Sequence, residues 1–286
     1  MFRRPKRPVR FEAAVTARYI PLLSPLTGEN LDVPHLLGYR VEPHPDGGVL
    51  LIACNGESLA AIYDKAGHAS RPGSFLLPDG VVDACRMPVP PPLYGAAGEE
   101  LSVQGLEIPG WMKPGLLHVT DEGASVASQD EKAPGVLAWW EATSPSEEII
   151  FGEDFRLVPD PWVDWRSTFK DAGSFEGSDE SYTLDPTLIE LFRGIAGYDD
   201  PMAPARGLVF QRERKTGLVL VGSLYLPEFF GALLPIPVET DKGTLRRPVQ
   251  TPDWLRTAAT NRAGDGSTRP ALQVIEGGRK PAKKKD

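Results

Sequence analysis

Patterns that build metal sites, disulfides or membrane spans are scarce in this sequence. Its two cysteines, Cys54 and Cys85, stand in apolar surroundings and form no Cys-x-x-Cys pair, which predicts buried free thiols in a reducing cytoplasm. Its four histidines lack the spacing of zinc ligands, so we expect no metal site. No apolar run reaches the length of about 18 residues that suggests a membrane span, and the basic N-terminus lacks the apolar stretch of a secretory signal.

Signatures of catalysis and cofactor binding are missing as well. The sequence has no phosphate-binding loop, no Gly-x-Gly-x-x-Gly after a strand, no His-Glu-x-x-His and no Gly-x-Ser-x-Gly. Adjacent acids, as at 147–148 and 153–154, stand in loop-like sequence, whereas acid–base catalysis needs a pKa tuned by burial or neighbours. The sequence therefore predicts a non-enzymatic protein without a cofactor.

Charge is distributed unevenly along the chain. Residues 1–10 carry five basic groups and no acid, and residues 242–286 carry eleven basic groups against four acids. Because the whole chain has a net charge of −8, the part between these ends carries −20. Such a body repels nucleic acid except where its few cations are gathered. The same charge is also typical of an acidic protein with solvated basic tails.

The stretch from Gly48 to Arg86 has the clearest order of predicted elements. Val49–Ala53 is a short apolar run, Asn55-Gly56 is a strong signal for a hairpin turn, and Ser58–Tyr63 returns as a second strand. The apolar spacing that follows predicts a strand over Gly73–Leu77 and a helix over Asp79–Cys85.

Two parts of this stretch resemble motifs of the bacterial β sliding clamp family, the rings that tether DNA polymerase III to DNA. Ala53–Ala60 (ACNGESLA) is similar to the family's hairpin, with Cys54 and Asn55 where the family has Thr and Asp. Leu77–Arg86 (LPDGVVDACR) is similar to its helix-opening motif. The resemblance implies a DNA-clamp-like α+β fold of antiparallel sheets, with short helices on one face that line a pore.

A second unit is predicted further along the chain. Asp185-Pro186 opens a helix through Ile195, with Asp185 as N-cap and Gly197 at the C-terminal cap. In this second unit, strands are predicted over Ser181–Leu184, Gly207–Gln211 and Gly217–Leu226. In the first unit, further strands are predicted over Glu100–Ile108, Leu116–Ser128 and Gly135–Ala142.

The domain organisation follows from these elements, and it amounts to about one and a half clamp-like modules. The family's usual three domains would need a longer chain. We expect a flexible basic arm over 1–8, a clamp-like module over 9–169, a second, shorter clamp-like module over 170–240, and a disordered basic tail over 241–286.

Three arginines on or near predicted helices are the candidates for contacting DNA. Arg18 lies near the first helix, Arg86 ends the second and Arg193 lies on the third. If these helices line a pore, the three cations face phosphates, where contacts independent of base sequence suffice. The alternative is that each is an ordinary exposed arginine, with Arg86 interacting with the C-terminus of its own helix.

A second candidate site is the apolar stretch near the end of the predicted modules. Leu224, Tyr225, Leu226 and Pro227 resemble the last strand of the clamp family, which helps form an apolar groove for short partner peptides, although no arginine follows here. The neighbouring residues Phe229, Phe230, Leu233 and Leu234 are alternatively core residues or a subunit contact.

Two functions follow from the resemblance. The first is a sliding-clamp-like processivity factor of DNA replication in the cytoplasm, which self-associates into a ring or partial ring around double-stranded DNA and docks a DNA polymerase or other replication proteins. The alternative is an acidic accessory protein on a degenerate clamp fold that binds a replication protein without encircling DNA. The oligomeric state discriminates between them.

Overall fold

Most of the regular structure in this computed structural model is extended, with three short helices. The structure describes residues 10–28, 36–88, 93–94, 100–101, 108–132, 135–142, 155–158, 162, 164–166, 183–198, 200, 203–213, 217–235, 239–240 and 243–244. The helices are α1 (Tyr19–Leu23), α2 (Asp79–Ala84) and α3 (Pro186–Glu190), with 3-10 turns at Ser24–Leu26 and Gly110–Met112. The strands are β1 (Glu12–Thr16), β2 (Tyr39–Pro43), β3 (Val49–Cys54), β4 (Ser58–Asp64), β5 (His68–Ala69), β6 (Gly73–Leu76), β7 (Leu93–Tyr94), β8 (Glu100–Leu101), β9 (Pro114–Thr120), β10 (Gly123–Ser128), β11 (Val136–Glu141), β12 (Arg156–Val158), β13 (Leu208–Arg212), β14 (Val219–Ser223), β15 (Phe229–Leu233), β16 (Glu239–Thr240) and β17 (Gly243–Thr244).

Two larger antiparallel sheets contain most of these strands, and β7-β8 and β16-β17 form two separate two-stranded sheets. The five-stranded sheet has the order β11-β10-β9-β1-β5, and the eight-stranded sheet has the order β12-β6-β2-β3-β4-β15-β14-β13. Every pair of neighbouring strands in the described residues is antiparallel. The predicted α+β class with antiparallel sheets and short helices is confirmed.

The strand exchange defines two similar halves. We call β1, α1, β2, β3 and β4 the first half, and β6, α2, β9, β10 and β11 the second half. In each half the leading strand leaves its own sheet: β1 pairs with β9 of the second half, and β6 pairs with β2 of the first half. The helices α1 and α2 contact each other. The two halves therefore form one unit, whose described residues lie between 12 and 141 and which we call the complete module.

A further half follows the complete module. It consists of α3, β13, β14 and β15, and we call it the third half. Its last strand pairs with β4, with Phe229 opposite Ile62, so one sheet runs through all three halves. The expected domain organisation of one and a half modules, with its boundary at 169/170, stays a prediction.

The helices pack on one face of the eight-stranded sheet. Because side chains alternate along a strand, Val49 and Leu51 of β3 join the main core, whereas Ile52 lies in a smaller cluster on the opposite face. All three helices contribute buried residues to the main core. Phe192, which follows α3, belongs to this core, and its ring centroid lies 5.9 Å from that of Phe229 on β15. Each fully buried Val, Leu, Ile or Phe contributes about 1.5–3 kcal/mol.

The opposite face of the sheet is covered by the segment after β12. Trp162 is buried against the smaller cluster, and the guanidinium of Arg40 lies 5.9 Å from its ring centroid. Glu42, itself buried, is paired with both Arg40 (2.8 Å) and Arg166. Because a buried carboxylate needs such partners, these contacts hold the segment on the sheet.

A buried aspartate joins the two sheets. The carboxylate of Asp64 at the end of β4 accepts hydrogen bonds from the backbone N–H of Thr16 (2.6 Å), the hydroxyl of Thr16 (2.9 Å) and the N–H of Ala66 (3.1 Å). Hydrogen bonds to a charged group contribute about 1.5–3 kcal/mol each. These bonds therefore tie β4 to β1, which lies in the other sheet.

Local turn signals were read correctly in several places. Asn55-Gly56 joins β3 to β4: the side chain of Asn55 accepts from the N–H groups of Glu57 and Ser58, and Gly56 has φ +95°. Such a positive φ favours glycine. The two cysteines are free and buried, as predicted, and burial raises the pKa of the Cys85 thiol to about 12.

Other predicted elements were wrong or incomplete. The stretch 116–128 is a hairpin and not one strand, because Thr120 accepts hydrogen bonds from the N–H groups of Glu122 and Gly123 and turns the chain. Residues 183–185 form no strand, and α3 ends at Glu190, before the predicted Ile195. Of the strand predicted at 100–108, residues 102–107 lie outside the described residues. The arm at 1–8 and most of the tail lie outside them too.

The predicted N-cap of α3 yields a testable pH dependence. The carboxylate of Asp185 accepts from the N–H (2.8 Å) and the hydroxyl (2.7 Å) of Thr187, and these bonds hold the pKa of Asp185 below its usual value. We expect Asp185→Ala to lower the midpoint of thermal unfolding at neutral pH. Since a lowered pKa contributes stability above the unfolded-state pKa of about 3.9 and loses it below, the difference should shrink on acidification.

Thermal unfolding followed by circular dichroism at neutral and acid pH measures this effect. Asp185→Asn is the control, because asparagine keeps an acceptor oxygen and is an equally good N-cap. An unfolding midpoint that is the same for Asp185→Ala and the unaltered chain at neutral pH would contradict the prediction.

Candidate functional site

Arg18 precedes α1 and is exposed at the helical side of the complete module. Its guanidinium carbon lies 5.2 Å from the ring centroid of Tyr19, and its Nη2 donates a hydrogen bond to the Tyr19 hydroxyl (3.4 Å). This bond raises the pKa of Arg18 above its ordinary value, against the opposing effect of burial. The side chain is therefore a fixed positive charge held against an aromatic ring.

Arg86 and Arg193 share one local arrangement. Arg86 lies 3.0 Å from the carboxylate of Asp83, and Arg193 lies 3.3 Å from that of Glu190, each pair spaced three residues apart. More than half of each of these four side chains is exposed, so each pair contributes little to stability. Both cations are accessible, but each has an acidic neighbour that partly cancels its charge.

The shared arrangement reflects an internal repeat in the sequence itself. Residues 74–86 (SFLLPDGVVDACR) and 181–193 (SYTLDPTLIELFR) match in the spacing of Ser, aromatic residue, Leu, paired apolar residues, acid and terminal Arg. The offset of 107 between Arg86 and Arg193 holds for every one of these positions. The third half therefore corresponds to the second half.

The candidate partner-binding residues form a turn between β14 and β15, where a strand resembling the clamp family's last one was expected. The hydroxyl of Ser223 accepts from the N–H groups of Tyr225 (3.1 Å) and Leu226 (2.9 Å), and this closes the turn. Leu224 is 58% exposed, Pro227 is exposed and Leu226 is buried. Leu224 and Pro227 are therefore the members of the set that a partner could reach.

Tyr225 links this turn to the candidate DNA-binding side. Its hydroxyl donates to the Asp200 carboxylate (2.7 Å), and burial together with this bond raises its pKa. The charge of Arg18 acts in the opposite direction on Tyr225, and Tyr225 and Glu228 act on Arg18 in turn. Arg18 and the turn therefore interact electrostatically, although the two were predicted as separate sites.

A groove of about 380 Å³ lies between α3 and β13. Its walls are mainly apolar, with Ile189 and Tyr198 on the helical side and Leu208 and Phe210 on the strand. Tyr198 is 59% exposed. No local pattern in the sequence marks this groove, because it arises from residues on two elements brought together by folding.

Two further searches concern metals and membranes. Within the described ranges, no group of three or more His, Cys, Asp or Glu side chains is arranged to hold a metal ion. None of the helices described is long and apolar enough to cross a membrane.

Comparisons with known proteins give structural similarity at low identity. No family model matches the sequence, and no curated protein matches it. The DNA polymerase III β subunit of Thermotoga maritima is similar with 11% identity and a TM-score of 0.41, over 86% of this chain and 67% of that one. The DNA polymerase III subunit β of Borrelia burgdorferi has 9% identity and a TM-score of 0.39, over 84% of this chain and 67% of that one. The DNA polymerase sliding clamp of Bacillus subtilis has 7% identity and a TM-score of 0.38, over 81% of this chain and 66% of that one. Similarity at this level identifies no family.

Proposed function

We propose that this chain is a sliding-clamp-like processivity factor of DNA replication, without enzymatic activity, which self-associates around double-stranded DNA in the cytoplasm. The observation that supports the proposal is the complete module. Its helices lie together on one face of antiparallel sheets, as the motifs at 53–60 and 77–86 implied, and its halves exchange leading strands. β3, β4 and α2 occupy those two motifs.

The proposed DNA contacts use Arg18, Arg86 and Arg193 on the helical side. A ring that slides needs weak contacts to phosphates, since tight or base-specific contacts would stop its movement. Few cations in an acidic body meet this need, because the remaining surface repels DNA. The exposed Leu224 and Pro227 would contribute to docking a DNA polymerase or another replication protein.

A second function is favoured by the local charge of the helices. On the α2 segment the two acids Asp79 and Asp83 outnumber the one base Arg86. Around α3, two acids likewise stand against the one base Arg193. This balance weakens attraction to phosphates. It supports the alternative of an acidic accessory protein that binds a replication protein without encircling DNA.

Retention on circular DNA tests the proposal. The full-length chain should remain on a closed circular duplex and leave the same duplex after it is cut, because a ring slides off free ends. Binding is read by gel filtration at a fixed salt concentration, and the mass is measured with and without DNA. Equal retention on both forms would contradict encircling. A monomer that binds neither form would favour the accessory function.

A further inference from the structure

The third half is an incomplete module. In the complete module, the outer edge of β9 carries β1, and the outer edge of β2 carries β6. In the third half, β13 corresponds to β9 and β2, and it ends the eight-stranded sheet. Among the described residues, no strand lies beside its outer edge.

The backbone of β13 is aligned to receive a strand. At the two ends of β13, the N–H of Glu213 donates to the carbonyl of Leu218, and the N–H of Leu224 donates to the carbonyl of Gly207. The odd-numbered residues on the β13 side therefore bond toward β14. Because antiparallel pairs alternate in their hydrogen bonding, the backbone N–H and C=O groups of Leu208 and Phe210 point to the open edge. Such an edge is a template for pairing with another chain.

The groove beside α3 has the position that a second helix fills in the complete module. There, α1 packs against α2. Residues 181–193 repeat the residue pattern of the second half, but among the described residues no further half accompanies the third one. What this surface lacks is therefore another half of the same construction.

A second copy of this chain can supply that half. The two halves of the complete module have the same order of elements and exchange leading strands reciprocally, as two identical halves would do about a two-fold axis. The groove wall also carries one acid and one base, Glu190 and Arg193. About a two-fold axis, each of these residues can meet the opposite charge on the partner.

We propose that two copies of this chain associate through their third halves about a two-fold axis, which completes one shared module. The α3 helix of each copy fills the other's groove. Thr183 and Leu184, which lead into α3 and form no strand within one chain, lie along the other's β13. This inference deepens the self-association in the proposed function and does not depend on DNA.

The mass of the full-length chain in solution tests the interface. We expect twice the chain mass of 31.1 kDa without DNA. Tyr198→Asp should raise the dissociation constant of the dimer at least tenfold. Because Tyr198 is exposed, the variant should unfold like the unaltered chain. Val209→Asp is the matched control, because Val209 is 51% exposed on the opposite face of β13 and should leave the dimer unchanged. A dimer that persists in Tyr198→Asp overturns this interface alone, whereas a monomeric unaltered chain overturns the interface and the ring together.

A charge-exchange experiment tests the two-fold contact independently. Glu190→Arg and Arg193→Glu should each be monomeric, since each places like charges against each other across the axis. Mixing the two variants in equal amounts should restore a dimer. Asp83→Arg and Arg86→Glu, at the equivalent pair on α2, should leave self-association unchanged. A mixture that stays monomeric, while both variants unfold like the unaltered chain, overturns the two-fold contact.

Discussion

Replacing Phe75 by alanine is expected to lower the free energy of unfolding by about 3–5 kcal/mol. Phe75 is fully buried on β6, the strand that the second half contributes to the sheet of the first. Its ring stacks on Tyr39 with centroids 5.8 Å apart and lies 6.4 Å from the ring of Phe11. The truncation leaves a cavity where the two halves join, and urea denaturation measures the loss.

The loss should be large compared with that from an exposed position. Val136→Ala is the control, because Val136 is 65% exposed on β11 and surface changes are usually within about 0.5 kcal/mol. The loss of about 3–5 kcal/mol expected for Phe75→Ala is a large share of the total stability of about 5–15 kcal/mol that is typical of native proteins. A cost below about 1 kcal/mol for Phe75→Ala would show that the exchanged strand is not part of a tightly packed core.

Changing Arg18, Arg86 and Arg193 together to Glu is expected to abolish binding to duplex DNA at low salt. If each arginine contacts one phosphate, the slope of log K against log salt is about −2.7 per chain before the change. Reversing the three charges replaces this attraction by repulsion. Fluorescence anisotropy with a labelled duplex, measured over a series of salt concentrations, reads both the loss and the slope.

The basic tail and the total charge need separate controls. A chain ending at Thr244 removes most of the tail, whose cations could bind DNA by themselves. A second triple variant, with Arg10, Arg71 and Arg206 changed to Glu, carries the same change in net charge at other exposed arginines. Equal loss in both triple variants would mean that total charge, and not the helical side, determines binding. Because Arg193→Glu alone is also expected to break the dimer, this single variant is measured as well. If it loses as much binding as the triple variant, self-association and not the phosphate contacts determines the loss. If the chain ending at Thr244 binds no DNA before mutation, the accessory function is favoured.

Local structure could be predicted from the sequence wherever neighbouring residues determine it. The Asn55-Gly56 turn and the Asp185 cap are such cases, since a positive φ and a short acceptor side chain act within a few residues. The hairpin of β9 and β10 was missed although Asp121-Glu122-Gly123 contains a turn signal. β15 was read only as an apolar stretch, because Gly231 is unusual in a strand. Its lack of a side chain lets Phe192 and Phe229 pack against it.

The exchange of β1 and β6 could not be predicted, because it depends on pairing over long sequence separations. The candidate site divides in the same way. The ion pairs of Arg86 and Arg193 follow from their spacing with Asp83 and Glu190 along one helical turn. The approach of Arg18 to Tyr225 and the groove beside β13 require the folded chain, since each joins residues on separate elements.

The number of halves in one chain restricts the assemblies that it can form. The described residues of one chain contain three halves, and two of these halves complete each other. If completed modules are the stable units, every chain contributes one half that only another chain can match. Closed assemblies then contain an even number of chains, and a trimer would leave one edge open. The structure of one subunit thus determines whether the number of subunits in an assembly is even. Native mass spectrometry measures that number directly.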